Sequence, residues 1–179
     1  MIGAMSGTSL DGLDLALVEF NLIKGKWTYR YVSTTTTPYS DSWQKQLENA
    51  RFLEAEALAI LNRDYTTYLA EQIQLFIAQN PSYTIDLVCS HGHTVHHKPD
   101  QGITFQIGNQ RELSSHLKTT VVCDFRVQDV AFGGQGAPLV PIGDELLFKK
   151  YACFVEKKSK LSFMNYIYLF VTFILLNFS

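Results

Sequence analysis

The 179-residue sequence predicts an α/β lobe in which three meandering antiparallel strands are extended by parallel strands through crossover helices. Three observations carry that expectation. The short apolar segment Met1-Ile2-Gly3-Ala4-Met5 leads through a turn into an alternating run at residues 13–20, and a second alternating run follows at 27–36. A long stretch of helical spacing then ends before Pro81. Finally, two short apolar runs, at 85–89 and 119–123, bracket a helical segment, as buried parallel strands do.

Taken in order, the Asp11-Gly12 pair is a hairpin signal between the first two strands. Trp27, Tyr29, Tyr31, Ser33 and Thr35 alternate with Thr28, Arg30, Val32 and Thr34, which suits a third strand. Ser40 or Asp41 can cap a short helix running through Leu47. In the longer helix, Leu58, Leu61, Tyr65, Tyr68, Leu69 and Phe76 form a stripe that reads as core packing. Ile85-Asp86-Leu87-Val88-Cys89 is a buried strand, Thr104-Phe105-Gln106-Ile107-Gly108-Asn109 an edge strand ending in a turn, residues 110–117 a helix, and 119–123 another buried strand. Leaving the edge strand aside, the order β-β-β-α-β-α-β is that of the actin-like/sugar-kinase (ribonuclease-H-like) lobe, whose first hairpin faces nucleotide.

The net charge is −2 with no basic stripe, which argues against a nucleic-acid partner. Cys89, Cys123 and Cys153 are odd in number and widely spaced, and read as thiols in a reducing compartment. The first residues lack a basic region and run straight into a strand pattern, so the expected location is cytoplasmic.

Four segments carry candidate chemistry. The first is the loop Gly7-Thr8-Ser9-Leu10-Asp11-Gly12-Leu13-Asp14. Its main-chain N–H groups, with the hydroxyls of Ser6, Thr8 and Ser9, can grip phosphate oxygens, and Asp11 or Asp14 can hold a hydrated Mg²⁺; the same residues also suit an ordinary hairpin. The second is Ser90-His91-Gly92-His93-Thr94-Val95-His96-His97, read as a polar loop touching substrate at the carboxyl end of a strand. A zinc hydrolase is its sharper alternative, with His91 and His93 sharing a metal with His96 or His97, although the run holds no carboxylate or cysteine. In the third, Arg126 stands between Asp124 and Asp129, able to bind a sugar hydroxyl or a carboxylate, or to clamp the loop as an Arg–Asp pair. The fourth, Gly133-Gly134-Gln135-Gly136-Ala137-Pro138-Leu139-Val140-Pro141, can let backbone approach a ligand or act as a hinge.

Met5-Ser6-Gly7-Thr8-Ser9-Leu10-Asp11-Gly12, Ser90-His91-Gly92-x-Thr94, Gln106-Ile107-Gly108, Val122-x-Asp124-Phe125-Arg126-x-x-Asp129-Val130 and the glycine-proline segment at 133–141 together resemble the anhydro-N-acetylmuramic acid kinases of bacterial cell-wall recycling, over residues 1–151. The resemblance implies an actin-like fold and ATP-dependent conversion of 1,6-anhydro-N-acetylmuramic acid to N-acetylmuramic acid 6-phosphate. Water opens the anhydro bridge as O6 takes the γ-phosphoryl group. It implies that residues 7–14 form the ATP phosphate loop with Asp11 near Mg²⁺, that Thr94, Arg126 and Asp129 face the amino sugar, and that full-length members are homodimers. His93 departs from the Gln usual in the family. The general-base Asp is expected in a later Asp-x-Gly-Pro-Gly-Asn motif that this sequence does not contain, leaving Asp129 and then Asp124 as substitutes.

The expected division is an N-terminal lobe at 1–151 and an atypical tail at 152–179, in which residues 161–178 carry no charge. An out-of-frame or truncated continuation is the expected origin of that tail, ahead of a short membrane contact. On this reading the 179 residues form little more than one lobe, without kinase turnover of their own. The competing classes are a non-catalytic sugar- or phosphate-binding remnant and, third, the zinc hydrolase.

Overall fold

In the computed structural model, described here over residues 1–136 and residue 147, the chain opens with strands β1 (Ile2–Ser6), β2 (Gly12–Ile23) and β3 (Lys26–Pro38). Both β1–β2 and β2–β3 are antiparallel, as the alternation predicts. Residues 13–18 are buried at every position but Asp14, because β2 lies inside the sheet with both faces covered.

Ser40 caps helix α1 (Asp41–Asn49), its Oγ accepting from the Trp43 main-chain N–H at 3.3 Å. A 3-10 turn (Ala50–Phe52) and extended backbone at Leu53 and Glu54 break the path before the longer helix α2 (Ala55–Ala78), which stops short of Pro81. Strand β4 (Leu87–Lys98) lies parallel to β1, β5 (Ile103–Ile107) returns antiparallel to it, and α3 (Glu112–Leu117) crosses over to β6 (Thr120–Val122), again parallel to β4. Helix α4 (Phe125–Ala131) follows. The sheet order β3-β2-β1-β4-β5, with β6 on the first half of β4 and β5 on its second half, is the expected lobe with a hairpin inserted in it.

One face of the sheet packs Ile2, Leu13, Leu15 and Leu17 against Tyr65, Leu69, Ile73 and Phe76 of α2. Each such side chain taken fully from water stabilises the lobe by about 1.5–3 kcal/mol. The opposite face holds Ala16, Val18, Leu87 and Cys89, with Phe125 of α4 against them.

Three expectations need correction. The histidine segment is not a loop: β4 runs on to Lys98, because β5 supplies hydrogen-bonding partners for its polar half. The run at 119–123 is not fully buried, since β6 is exposed at Thr120 and half-buried at Val121 and Val122. The segment around Arg126 is a helix, begun at Asp124 in the left-handed region at φ 57°. Among the described residues no helix is long and apolar enough to cross a membrane. Residues 137–141, Cys153 and the tail at 152–179 lie outside the described residues.

Candidate functional site

The first hairpin does not turn at Asp11-Gly12. Gly12 is already a strand residue paired with Pro38, and a Cβ there would lie 2.5 Å from the Thr37 carbonyl oxygen, so glycine is required by close approach. The turn falls instead at Thr8 and Ser9, closed by the Leu10 N–H donating to the Gly7 carbonyl at 3.3 Å, with Leu10 itself at φ 58°. Gln44 of α1 donates to the Leu10 carbonyl at 3.1 Å and ties the loop to the helix. Thr8, Ser9 and Asp11 are exposed, and Ser9 Oγ donates to Asp11 Oδ1 at 2.6 Å. Leu13 belongs to the core, and Asp14, opposite Met5 in the sheet register, accepts from Thr36 Oγ1 at 2.5 Å.

A cleft of about 380 Å³ opens where this turn meets α1 and β4. Thr8 and Leu10 line it from the hairpin, Glu48 from the end of α1, Arg51 from the 3-10 turn that follows, and His93, Thr94 and the exposed His97 from β4. Two motifs far apart in sequence therefore share one space. Glu48 and Arg51 were not foreseen, since an acid and a base near a helix end read as a solvated face. Gln106, opposite Thr94 across β4–β5, donates to Thr104 Oγ1 at 3.0 Å and to Thr94 Oγ1 at 3.5 Å. Its Oε1 is buried without a partner among the described residues.

Gly92 decides how β4 presents its histidines. It sits at φ 68°, and a Cβ there would overlap the Ile107 carbonyl oxygen. The register along β1 moves from Ala4↔Ser90 to Ser6↔His93, a bulge that inserts one residue. An unbulged strand would place His91 and His93 on one face; here His93 shares the face of Ser90 and Ser6, and His91 keeps that of Cys89.

On its side, His91 Nε2 accepts from Arg126 Nε at 3.1 Å and Nδ1 donates to the Gly92 carbonyl at 3.1 Å, so the proton is on Nδ1. Burial and then the Arg126 charge push its pKa down to about 4. On the other side, His93 Nδ1 meets Ser6 Oγ at 2.9 Å, and burial likewise pushes its pKa down to about 4. The zinc alternative is thereby corrected: among the described residues no three His, Cys, Asp or Glu side chains gather as a ligand set. The nitrogen lone pair of His91 is committed to a guanidinium, and the bulge sends its neighbour to the other face.

Asp129 accepts from the Gly136 N–H at 2.6 Å, and a Cβ on Gly134 would overlap its carboxylate, so Asp129 closes the glycine turn over the end of α4. Gly136 in turn lies where a Cβ would come within 3.1 Å of His97 Cε1. Asp124 accepts from Asn109 Nδ2 at 3.2 Å. Cys89 and Cys123 are free thiols, pushed by burial up to about 12 and about 11.

For a nucleotide and metal, the fit rests on the turn. The exposed hydroxyls of Thr8 and Ser9 and the exposed carboxylate of Asp11 suit a hydrated Mg²⁺ carried in on phosphates, which needs one or two protein carboxylates and no closed cage.

The family model described as anhydro-N-acetylmuramic acid kinase matches residues 1–156. The anhydro-N-acetylmuramic acid kinase of Rhodopseudomonas palustris (strain ATCC BAA-98 / CGA009) is 40% identical over 152 residues, covering 79% of this chain and 41% of the relative. That of Methylobacterium nodulans is 42% identical over 160 residues (79% and 42%), and that of Zymomonas mobilis subsp. mobilis 39% over 162 (83% and 44%). The chain spans about two fifths of the length of these relatives. With the strand order, the hydroxyl-bearing first turn and the match at 1–156 all in agreement, the chain belongs to the anhydro-N-acetylmuramic acid kinase family.

Proposed function

We propose that this chain supplies the phosphate- and sugar-facing lobe of a cytoplasmic, ATP-dependent kinase that converts 1,6-anhydro-N-acetylmuramic acid and water to N-acetylmuramic acid 6-phosphate. The observation that carries this reading is the cleft of about 380 Å³ lined at once by Thr8 of the first turn and Thr94 of β4. Phosphoryl transfer asks a protein mainly for positioning and charge neutralisation, and this space has donors for both partners.

In this reading the hydroxyls of Thr8 and Ser9 and the main-chain N–H groups of the turn hold phosphate oxygens, while Asp11 holds the hydrated Mg²⁺. The metal, when bound, offsets charge on the transferred phosphoryl group. Thr94 binds a sugar hydroxyl, with Gln106 Oε1 behind it as an acceptor. Arg126 and Asp129 do not line that cleft; Arg126, fixed by its bond to His91, is assigned to the sugar from the α4 side, and Asp129 holds the glycine turn beside it. The resemblance places the water-activating base in a later motif, and the role proposed for the residues named here is to bind and orient.

The test reads binding. Calorimetric titration of the purified chain with the anhydro sugar, and separately with Mg·ATP, is expected to give saturable binding of each, with the sugar term lost in Thr94→Val. A folded chain that binds neither ligand overturns the reading.

A further inference from the structure

Ser6, Tyr39 and Tyr65 form a buried line of hydroxyls ending on His93. Tyr39 OH donates to Ser6 Oγ at 2.8 Å, which uses its only proton, so the 2.6 Å contact between the two phenols is donated by Tyr65. Ser6 then has its own proton to place, and His93 Nδ1 at 2.9 Å is the acceptor. The reverse order would leave the hydroxyl of fully buried Tyr65 without an acceptor, a penalty that biases the populations by about tenfold or more.

With Nδ1 accepting, the ring proton is on Nε2. Gln106 Oε1 is the one buried side-chain polar atom without a partner among the described residues, so His93 Nε2, which has no hydrogen-bond partner among the described residues, is reached from the cleft that His93 lines.

We propose that the Tyr65–Tyr39–Ser6 line holds His93 as the Nε2–H tautomer, an uncharged donor that positions an oxygen of the sugar in the cleft. The inference deepens the kinase reading and rests on it for the identity of the ligand. An uncharged donor suits a hydroxyl, ether or amide oxygen, and burial keeps the ring neutral at pH 7. It also singles out Tyr39 and Tyr65 as positioning residues that touch no ligand.

The full chain labelled with ¹⁵N-histidine, examined at pH 7 by two-bond ¹H–¹⁵N correlation, is expected to show His93 with Nδ1 unprotonated and Nε2 protonated, assigned by the signal lost in His93→Gln. His91 is expected to show the opposite pattern and serves as the internal reference. Tyr39→Phe should bring His93 to a mixture of tautomers while His91 stays unchanged; Tyr65→Phe serves the same purpose should Tyr39→Phe not fold. A protonated Nδ1 in the parent, or an unmoved tautomer in the folded variant, overturns the inference. Adding the anhydro sugar should shift the His93 ring signals, whereas Mg·ATP alone should not. His93→Phe should weaken sugar binding by about tenfold, and His93→Gln, which keeps an N–H donor, by much less. Sugar binding with unmoved His93 signals overturns the donor role alone. Absence of sugar binding overturns the kinase reading and the sugar role together, and is told apart because the tautomer is read first without ligand.

Discussion

His91 and His93 stand two residues apart on the same strand, equally buried and both pushed down to about 4, and they differ in what answers their nitrogens. His91 faces α4 and is spent on Arg126. His93 faces the helices of the other layer, with one nitrogen held by a serine hydroxyl and the other left for the cleft. Burial decides that both are uncharged, but the partner decides which nitrogen carries the proton. The bulge at Gly92 makes the difference possible, by giving each histidine its own face.

Acid should break the comparison first, because it acts on both sides at once. Each histidine has a folded pKa near 4 against an ordinary value of 6.5, so the unfolded chain binds more protons between those values. The stability they contribute is present above about 6.5 and is lost as pH falls towards 4. With up to two protons taken up on unfolding, the slope approaches about 2.7 kcal/mol per pH unit near the middle of that window. Urea unfolding at a series of pH values reads it, and His91→Gln and His93→Gln should each remove about half. A slope unaffected by either variant would show that the two histidines do not carry the acid sensitivity.

Gly92→Ala attacks the device that separates the two faces. A left-handed conformation costs a non-glycine residue about 1–2 kcal/mol, and overlap with the Ile107 carbonyl adds to it, so a loss of about 3 kcal/mol is expected. The denaturation midpoint should fall with an unchanged m-value; a drop under about 1 kcal/mol would mean that the bulge tolerates a side chain.

How far these features were legible in the sequence follows from how local their causes are. The three-strand start, the Ser40 cap and the stop before Pro81 are written in nearby residues. The extension of β4 through a histidine-rich stretch was not, because polar residues on that half are held by pairing with β5, which arrives later in the chain. The Asp11-Gly12 signal misplaced the turn, since Gly12 answers crowding from Thr37 on β3 rather than turn geometry. The sequence reads Ser6 as a hydroxyl for phosphate and Tyr65 as core, and only the packing of α2 on β1 brings both into a buried line with Tyr39. The bulge that separates His91 from His93 was hinted at by the glycine between them, a signal with many other readings.

On the His91 face, Arg126→Lys sharpens the comparison. The lysine keeps the charge but loses the Nε–H donated to His91 and the planar guanidinium geometry. Sugar affinity is expected to fall by about tenfold, or about 1.4 kcal/mol, with Mg·ATP affinity unchanged. Calorimetry on both ligands reads the split, and equal losses for the two would make Arg126 a purely structural clamp.

The smallest effect belongs to Asp11, beside the first turn. Its carboxylate is exposed and accepts from Ser9 Oγ at 2.6 Å, a bond that the amide oxygen of Asn can keep. Asp11→Asn therefore leaves the turn intact while removing a full negative charge proposed for a hydrated metal there. Exposure limits the interaction, since water and salt screen it, so the expected loss in Mg·ATP affinity is about fivefold, or about 1 kcal/mol, growing as ionic strength is lowered. Sugar affinity should not move, the mirror image of Arg126→Lys. Titrating ATP with and without Mg²⁺ isolates the metal contribution: the variant should differ from the parent only when Mg²⁺ is present. An equal loss in its absence would place Asp11 on the phosphates' hydrogen-bonding side and transfer the metal to another carboxylate, with Asp14 of β2 the next to test.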